Sequence, residues 1–367
     1  VTATEDSREP LGGGVAVDDR PRAGEALDGQ TTLPADFEPE VVDPERRSLI
    51  TRLGLGDRVF FRGAGLSGLI VLAIMIAVGL FLSIEALDAL QARGFAFFTT
   101  SEWEVDSGNF GVFSVILYTA LISLVAVAIA VPIAVGTALF IVEVAPTWLR
   151  SSLIAMVDLM AAVPSVVYGL WGLFLLQGQI VGLSRWLTTW LGWIPFLDVS
   201  GADPNSPLAS ASVYTASTFI AGVVVAMMVM PIQCAVMREV FSQVPPGERE
   251  GAFALGSTRF GMISVVTIPF GRGGIIGGTM LGLGRALGET IAVLLIISPR
   301  FDFTWNILES GSNSVSSLIA IRYAEASEFG LSALMAAGLT LFGITLIVNF
   351  VASYFVARSR SGASSEA

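Results

Sequence analysis

Six long apolar runs constrain the fold of this chain more than any other feature. They cover about residues 64–84, 113–142, 153–176, 213–237, 271–297 and 331–356. Each exceeds the roughly 20 residues an α-helix needs to cross a hydrocarbon layer. In lipid the backbone must satisfy its own hydrogen bonds, so runs of this length are read as helices. The expected fold class is an all-α integral membrane protein with six transmembrane helices. Apolar residues make up 53% of the 367 positions and charged residues 14%. A soluble chain carries about 25% charged residues, so the deficit points to lipid as the solvent.

The net charge of −11 belongs mostly to one end of the chain. Residues 1–45 hold twelve acids against three arginines, and the remaining residues are nearly balanced. Few large apolar side chains stand among the Asp, Glu, Gly and Pro of residues 1–48. This stretch is therefore expected to be a disordered, acidic cytoplasmic tail. It does not read as a signal peptide, being acidic and followed by its first apolar run only past residue 63. Residues 49–357 are expected to form the six-span domain and residues 358–367 a cytoplasmic C-terminal tail. Nothing in the charge pattern points to nucleic acid.

Arginine placement sets the expected orientation. With the N-terminus inside, the inner segments hold Arg46, Arg47, Arg52, Arg58, Arg62, Arg150, Arg238, Arg249, Arg259, Arg272, Arg358 and Arg360. The outer segments hold only Arg93, Arg185, Arg300 and Arg322. Both termini are then cytoplasmic. Residues 186–196, WLTTWLGWIPF, are short and Trp-rich, which suits an interfacial helix. Residues 298–330 are polar and leave two readings open, a docking surface or a solvated loop.

All 20 basic residues are arginine, and there is no histidine. A P-loop needs its lysine on the nucleotide phosphates, and zinc proteases or Ser-His-Asp hydrolases need histidine. Those classes are excluded. The single Cys234, in an apolar run, forbids an intrachain disulfide and reads as small apolar filler.

The longest inner connection runs from Arg238 to Pro269. Pro245 and Pro246 end the preceding helix and can open another. Glu248 and Glu250 then lie near a positive helix end. Gly256 reads as a C-terminal stop and Ser257 as the cap of the next helix. A short helix over about 248–255 is expected, with the small residues Gly251, Ala252 and Ala254 open to a partner's groove.

Glu250-Gly251-Ala252, Gly256 three residues on, and Val266-Thr267-Ile268-Pro269 after nine more resemble the EAA loop of ABC importer permeases. The departures are Gly251 for alanine, Val266 for isoleucine and Ile268 for leucine. The resemblance implies the six-helix, MetI-like permease architecture. It also implies that the loop docks on a separate ATP-hydrolysing subunit.

In the fifth run, Arg285 is expected about 20 Å along the helix from Gly271, near mid-membrane. Glu289 follows at i+4 on the same face. Charges at such depth suggest a substrate path. A guanidinium suits an oxyanion, giving two parallel charge-assisted hydrogen bonds. Two roles are open to Glu289: neutralising Arg285 when the path is empty, or accepting a proton from the substrate. A structural ion pair between helices is the alternative to both. Gly274, Gly278 and Gly282, with Gly284 and Gly288, read as close-packing faces. Asp158 reads either as a carboxylate reaching the interface or as part of a gate.

Gly282–Thr290 (GLGRALGET) and Ala161–Leu173 (AAVPSVVYGLWGL) resemble the PstC family of phosphate-import permeases, over about residues 60–357. The resemblance places Arg285 and Glu289 on the family's intramembrane charged pair. It implies a sister permease of the PstA type, two copies of a PstB-type ATPase and an extracytoplasmic phosphate-binding protein of the PstS type. The setting it implies is a bacterial inner membrane. It implies no cofactor on this chain, with ATP and Mg held by the ATPase, and alternating access without bond breaking. Two other functions share much of this pattern: a permease for sulfate or molybdate, and a proton-coupled carrier in which Glu289 titrates.

Overall fold

The computed structural model describes residues 54–199 and 211–360. The chain divides into two units, Val1–Gly63 and Ala64–Ala367. Of the first, residues 54–63 are described; they open helix α1 (Leu55–Glu85), where the Asp57 carboxylate accepts the Gly54 N–H at 3.1 Å. The expected tail over 1–48 lies outside the described residues, as do 361–367. The last helix, α13 (Glu328–Arg360), runs three residues into the expected C-terminal tail.

Among the described residues, six helices are long and apolar enough to cross a membrane. They are Gly56–Glu85, Phe113–Val144, Ser165–Leu191, Thr218–Ser242, Arg259–Leu287 and Glu328–Tyr354. The number agrees with the sequence reading, but the third and fifth spans take a different course.

The third was expected over 153–176. Instead α4 (Thr147–Ala162) is a separate helix, ended by an extended Val163 (ψ 130°) in front of Pro164. Proline's ring excludes the α conformation from the residue before it, so the helix stops there. A new helix, α5 (Ser165–Trp171), continues through a π-helical turn at Gly172–Leu176 into α6 (Gln177–Leu191). Trp186 and Trp190 thus belong to the end of span three and not to a separate interfacial helix. Both are exposed, as is Trp193, which suits anchors at a lipid–water boundary.

The core is built on two helices, α3 (Phe113–Leu139), which runs on into a π turn at Phe140–Val144, and α7 (Thr218–Ser242). Ala126, Ala130, Ala134 and Ala138 recur every four residues on α3, and all four are fully buried. Small residues at this period let backbones approach closely, which drives packing where lipid removes the hydrophobic drive between helices. From α7, Gly222 meets α3 so closely that a Cβ there would lie 2.4 Å from Val125. The buried Ile122, Val224, Val225 and Val229 fill the seam.

Helix α10 (Ile268–Leu287) packs against α7 through the glycines singled out above and also touches α3. A Cβ at Gly274 would stand 2.6 Å from Val240, and one at Gly271 2.3 Å from Phe241. Gly278 and Gly282 face Met237 and Gln233 in the same way.

Residues 298–330 are a folded element rather than a solvated loop. Tyr118 donates its hydroxyl to the Asp302 carbonyl at 2.7 Å and accepts the Thr304 N–H at 3.2 Å. Arg300 pairs with Glu309 at 2.7 Å, and that hydrogen bond holds the guanidinium above its ordinary pKa. Ser314 and Ser317 cap each other's backbone to start α12 (Val315–Arg322). Beside it lies a small hairpin of β1 (Trp103–Glu104) and β2 (Asn109–Phe110), pairing Trp103 with Phe110 and Glu104 with Asn109. Arg93 holds it through Asn109 Oδ1 at 2.7 Å and the Phe110 carbonyl at 3.2 Å.

Candidate functional site

Two places carry the residues singled out from the sequence: a groove beside Arg285 and the surface around the loop helix. The groove begins with a helix that stops early. The fifth apolar run was expected to be continuous to 297, but α10 ends at Leu287, with Gly288 as its cap. A separate short helix, α11 (Ile291–Ile296), follows. Glycines at 284 and 288 weaken the helix where it ends. Glu289, nearly buried, accepts the Ala292 N–H at 3.2 Å and so satisfies a free donor at the start of α11. Glycines also receive α11 on its other side: a Cβ at Gly169 would stand 2.9 Å from the Ala292 Cα, and one at Gly172 3.0 Å from Ile296. Two glycines of the YGLWG segment thus serve close packing.

The expected i, i+4 pair is therefore not formed. Arg285 stands in the last turn of α10 rather than mid-helix, and Glu289 lies beyond the break. No ion pair joins them: among the described residues the pairs are Arg238–Asp158, Arg249–Glu143 and Arg300–Glu309. The Arg285 side chain is exposed. It lines a groove of about 610 Å³ between α10 and α13, which Ile232 of α7 also reaches. The walls are mostly apolar (Leu281, Leu341, Phe342), with Thr345 and Asn349 as polar members. Gly284 leaves room for Asn349, whose Oδ1 would lie 3.5 Å from a Cβ there. Thr345 and Asn349 were missed in the sequence; a lone Asn within an apolar run was the available signal. A fixed cation beside an uncharged amide on apolar walls can hold an oxyanion by charge and orient it by hydrogen bonds.

Asp158, on α4, faces Arg238 of α7 at 3.7 Å. It therefore links two helices at one end of the bundle. Cys234 is fully buried in the apolar cluster with Met237 and Phe241, as its filler role requires.

The loop helix forms as expected, with one change of cap. α8 (Pro246–Ala254) follows Pro245 and has Pro246 in its first turn. Gly256 takes φ +81°, a left-handed conformation that favours glycine. Ser257 N–H reaches the Ala252 carbonyl at 3.1 Å and Gly256 N–H the Phe253 carbonyl at 2.9 Å, a Schellman stop. The next helix, α9 (Arg259–Met262), is capped by Thr258, not Ser257: its hydroxyl accepts the Gly261 N–H at 3.2 Å.

No residue of α8 is buried, and Glu250 is exposed. Leu255 is 90% exposed and Phe260 80%. Gly251, Ala252, Leu255 and Pro269 line a shallow groove of about 550 Å³ with Glu248. Only Arg249 turns inward. It donates to Glu143 at 3.0 Å and to the Phe241 carbonyl at 2.9 Å. Glu143 was also missed, because its partner lies far along the sequence; an acid ending an apolar run was the only local hint.

Residues 130–361 match the family model described as "Binding-protein-dependent transport system inner membrane component". The chain is 37% identical over 301 residues to the phosphate transport system permease protein PstC 2 of Mycobacterium tuberculosis, covering 81% of this chain and 90% of that protein. It is 38% identical to PstC of Pasteurella multocida, over 78% of this chain and 88% of the relative. With PstC of Mesorhizobium japonicum it shares 32% identity, over 91% and 99%. In fold it resembles a bacterial ABC transporter involved in the import of the acidic polysaccharide alginate (TM-score 0.50, 18% identity, 82% of this chain and 99% of that one). The chain belongs to the binding-protein-dependent transport inner membrane components, a family of multi-pass membrane subunits of importers. Within that class it groups with the PstC permeases.

Proposed function

We propose that this chain is the permease subunit of an ATP-driven importer of inorganic phosphate. The observation that carries the reading is Arg285: an exposed guanidinium with no ion pair, lining an apolar groove among the spans. Such a cation is stable only beside water or an anion. The PstC relatives name phosphate as the anion. The groove is open along α10 and α13, so a PstA-type sister permease supplies the other wall. Two PstB-type ATPases, holding ATP and Mg, lie beneath the two permeases, one of them against α8, and a PstS-type binding protein docks on the opposite side near α12. Arginine placement puts both termini and α8 in the cytoplasm of a bacterial cell.

In this reading the chain breaks no bond. Phosphate released on the outer side reaches Arg285, and ATP-driven closure beneath α8 rocks the spans to open the inner side. Glu289 Oε1 accepts the Ala292 N–H at the start of α11, so Glu289 caps that helix rather than neutralising Arg285.

Uptake of labelled phosphate by the complete importer in proteoliposomes tests the reading. Arg285→Gln is expected to abolish uptake while the complex still assembles. Wild-type uptake in that variant would remove Arg285 from the path, and sulfate competing as well as phosphate would remove the substrate assignment.

A further inference from the structure

The Glu143 carboxylate ties three elements together at one point. It lies at the end of span two, with its side chain only 6% exposed. It pairs with Arg249 of α8 at 3.0 Å. It also accepts the Thr267 hydroxyl at 3.1 Å, from the segment that leads into α10. Arg249 is fixed in turn by the Phe241 carbonyl of α7 at 2.9 Å. Of the nine residues of α8, Arg249 is the one that reaches inward in this way.

The backbone is unusual on both sides of this contact. Glu143 lies in the π turn Phe140–Val144, and Thr267 closes another at Ile263–Thr267. π turns are rare, and they recur at functional sites because each inserts a residue and re-aims the side chains around it. Here the two turns bring a carboxylate and a hydroxyl together from positions 124 residues apart.

We propose that Glu143 is a positioning residue that transmits movement of α8 to spans two and five. The inference rests on the proposed function, in which an ATPase moves α8. A displaced α8 pulls through Arg249 on the end of span two. Through the Thr267 hydroxyl the same carboxylate shifts the base of α10, the helix that carries Arg285 at its far end. An ion pair shielded from water keeps its strength, whereas an exposed pair would be screened away. The remaining residues of α8 stay free for the partner's surface.

The test is the number of phosphates imported per ATP hydrolysed, measured with the complete importer in proteoliposomes. Glu143→Gln keeps the side chain's size but removes its charge. The expected result is a ratio lowered roughly two- to thirtyfold, the range a coupling residue commands, with ATP hydrolysis retained. The swap Glu143→Arg with Arg249→Glu is expected to recover part of the ratio. A smaller number of folded complexes would lower both rates and leave the ratio untouched, so a merely structural role is read separately. A wild-type ratio in Glu143→Gln, or a swap no better than Glu143→Gln alone, overturns the proposal. Should Glu143→Gln fail to assemble, Thr267→Val carries the test, and a wild-type ratio there overturns it equally. The unaltered complex hydrolysing ATP without importing phosphate would instead overturn the proposed function.

Discussion

Gly251 occupies the place where the EAA pattern has alanine, and a Cβ there would meet nothing within 4 Å. It sits inside α8, so its backbone freedom is a cost without a packing return. Gly251→Ala is expected to stabilise the loop helix by about 1 kcal/mol. The measurement is amide hydrogen exchange of residues 248–255, which should slow in the variant; unchanged exchange would refute it. Gly256 is the opposite case, because φ +81° is a conformation alanine adopts poorly. The two glycines look alike in the sequence. Only the position of the helix end separates them, and for Gly256 the sequence reading had that end right.

Among the elements, the α7–α10 contact was the most legible. Gly274, Gly278 and Gly282 recur at helical spacing, so the face they share can be read without knowing its partner. The matching stripe on α3 was overlooked because alanine is an ordinary helix former and its period does not stand out in an apolar run. Gly274→Leu is expected to push α10 off Val240, at a cost of about 1–3 kcal/mol or more for overpacking. The check is the thermal stability of the purified subunit, which should fall. Gly251→Ala, far from any helix seam, serves as its control.

The breaks in spans three and five were not legible. Pro164 lies inside the third apolar run, 153–176, and apolarity alone hides that a proline also restrains the residue before it. The Gly284–Gly288 pair was read as another packing face, although Gly284 opens the groove and Gly288 caps a helix end. Both errors have one source. Apolar composition shows that a segment lies in lipid, and it is silent on where the helix inside that segment is interrupted.

For the molecule as a whole, the count of six spans and the exposed loop helix follow from local pattern. What escaped is pairing at long range, of which Glu143 with Thr267 is the clearest instance. In the proposed reading the motor is a separate polypeptide. Purified alone, the chain is expected to hydrolyse no ATP, and adding its ATPase partner should give hydrolysis that rises with the phosphate-loaded binding protein. Nucleotide turnover by the isolated chain, measured as phosphate release, would contradict the assignment of the motor to another polypeptide.

The guanidinium in the groove has a consequence for how such an importer meets acidity. Arginine stays protonated through any pH a cell survives, and no lysine or histidine stands anywhere in the chain to titrate beside it. Across neutrality, then, the lure offered by this wall is constant while inorganic phosphate gives up its second proton. Any preference for the singly or doubly charged anion then falls to uncharged groups such as Thr345 and Asn349, or in the proposed reading to partner subunits, and not to a change of charge on Arg285.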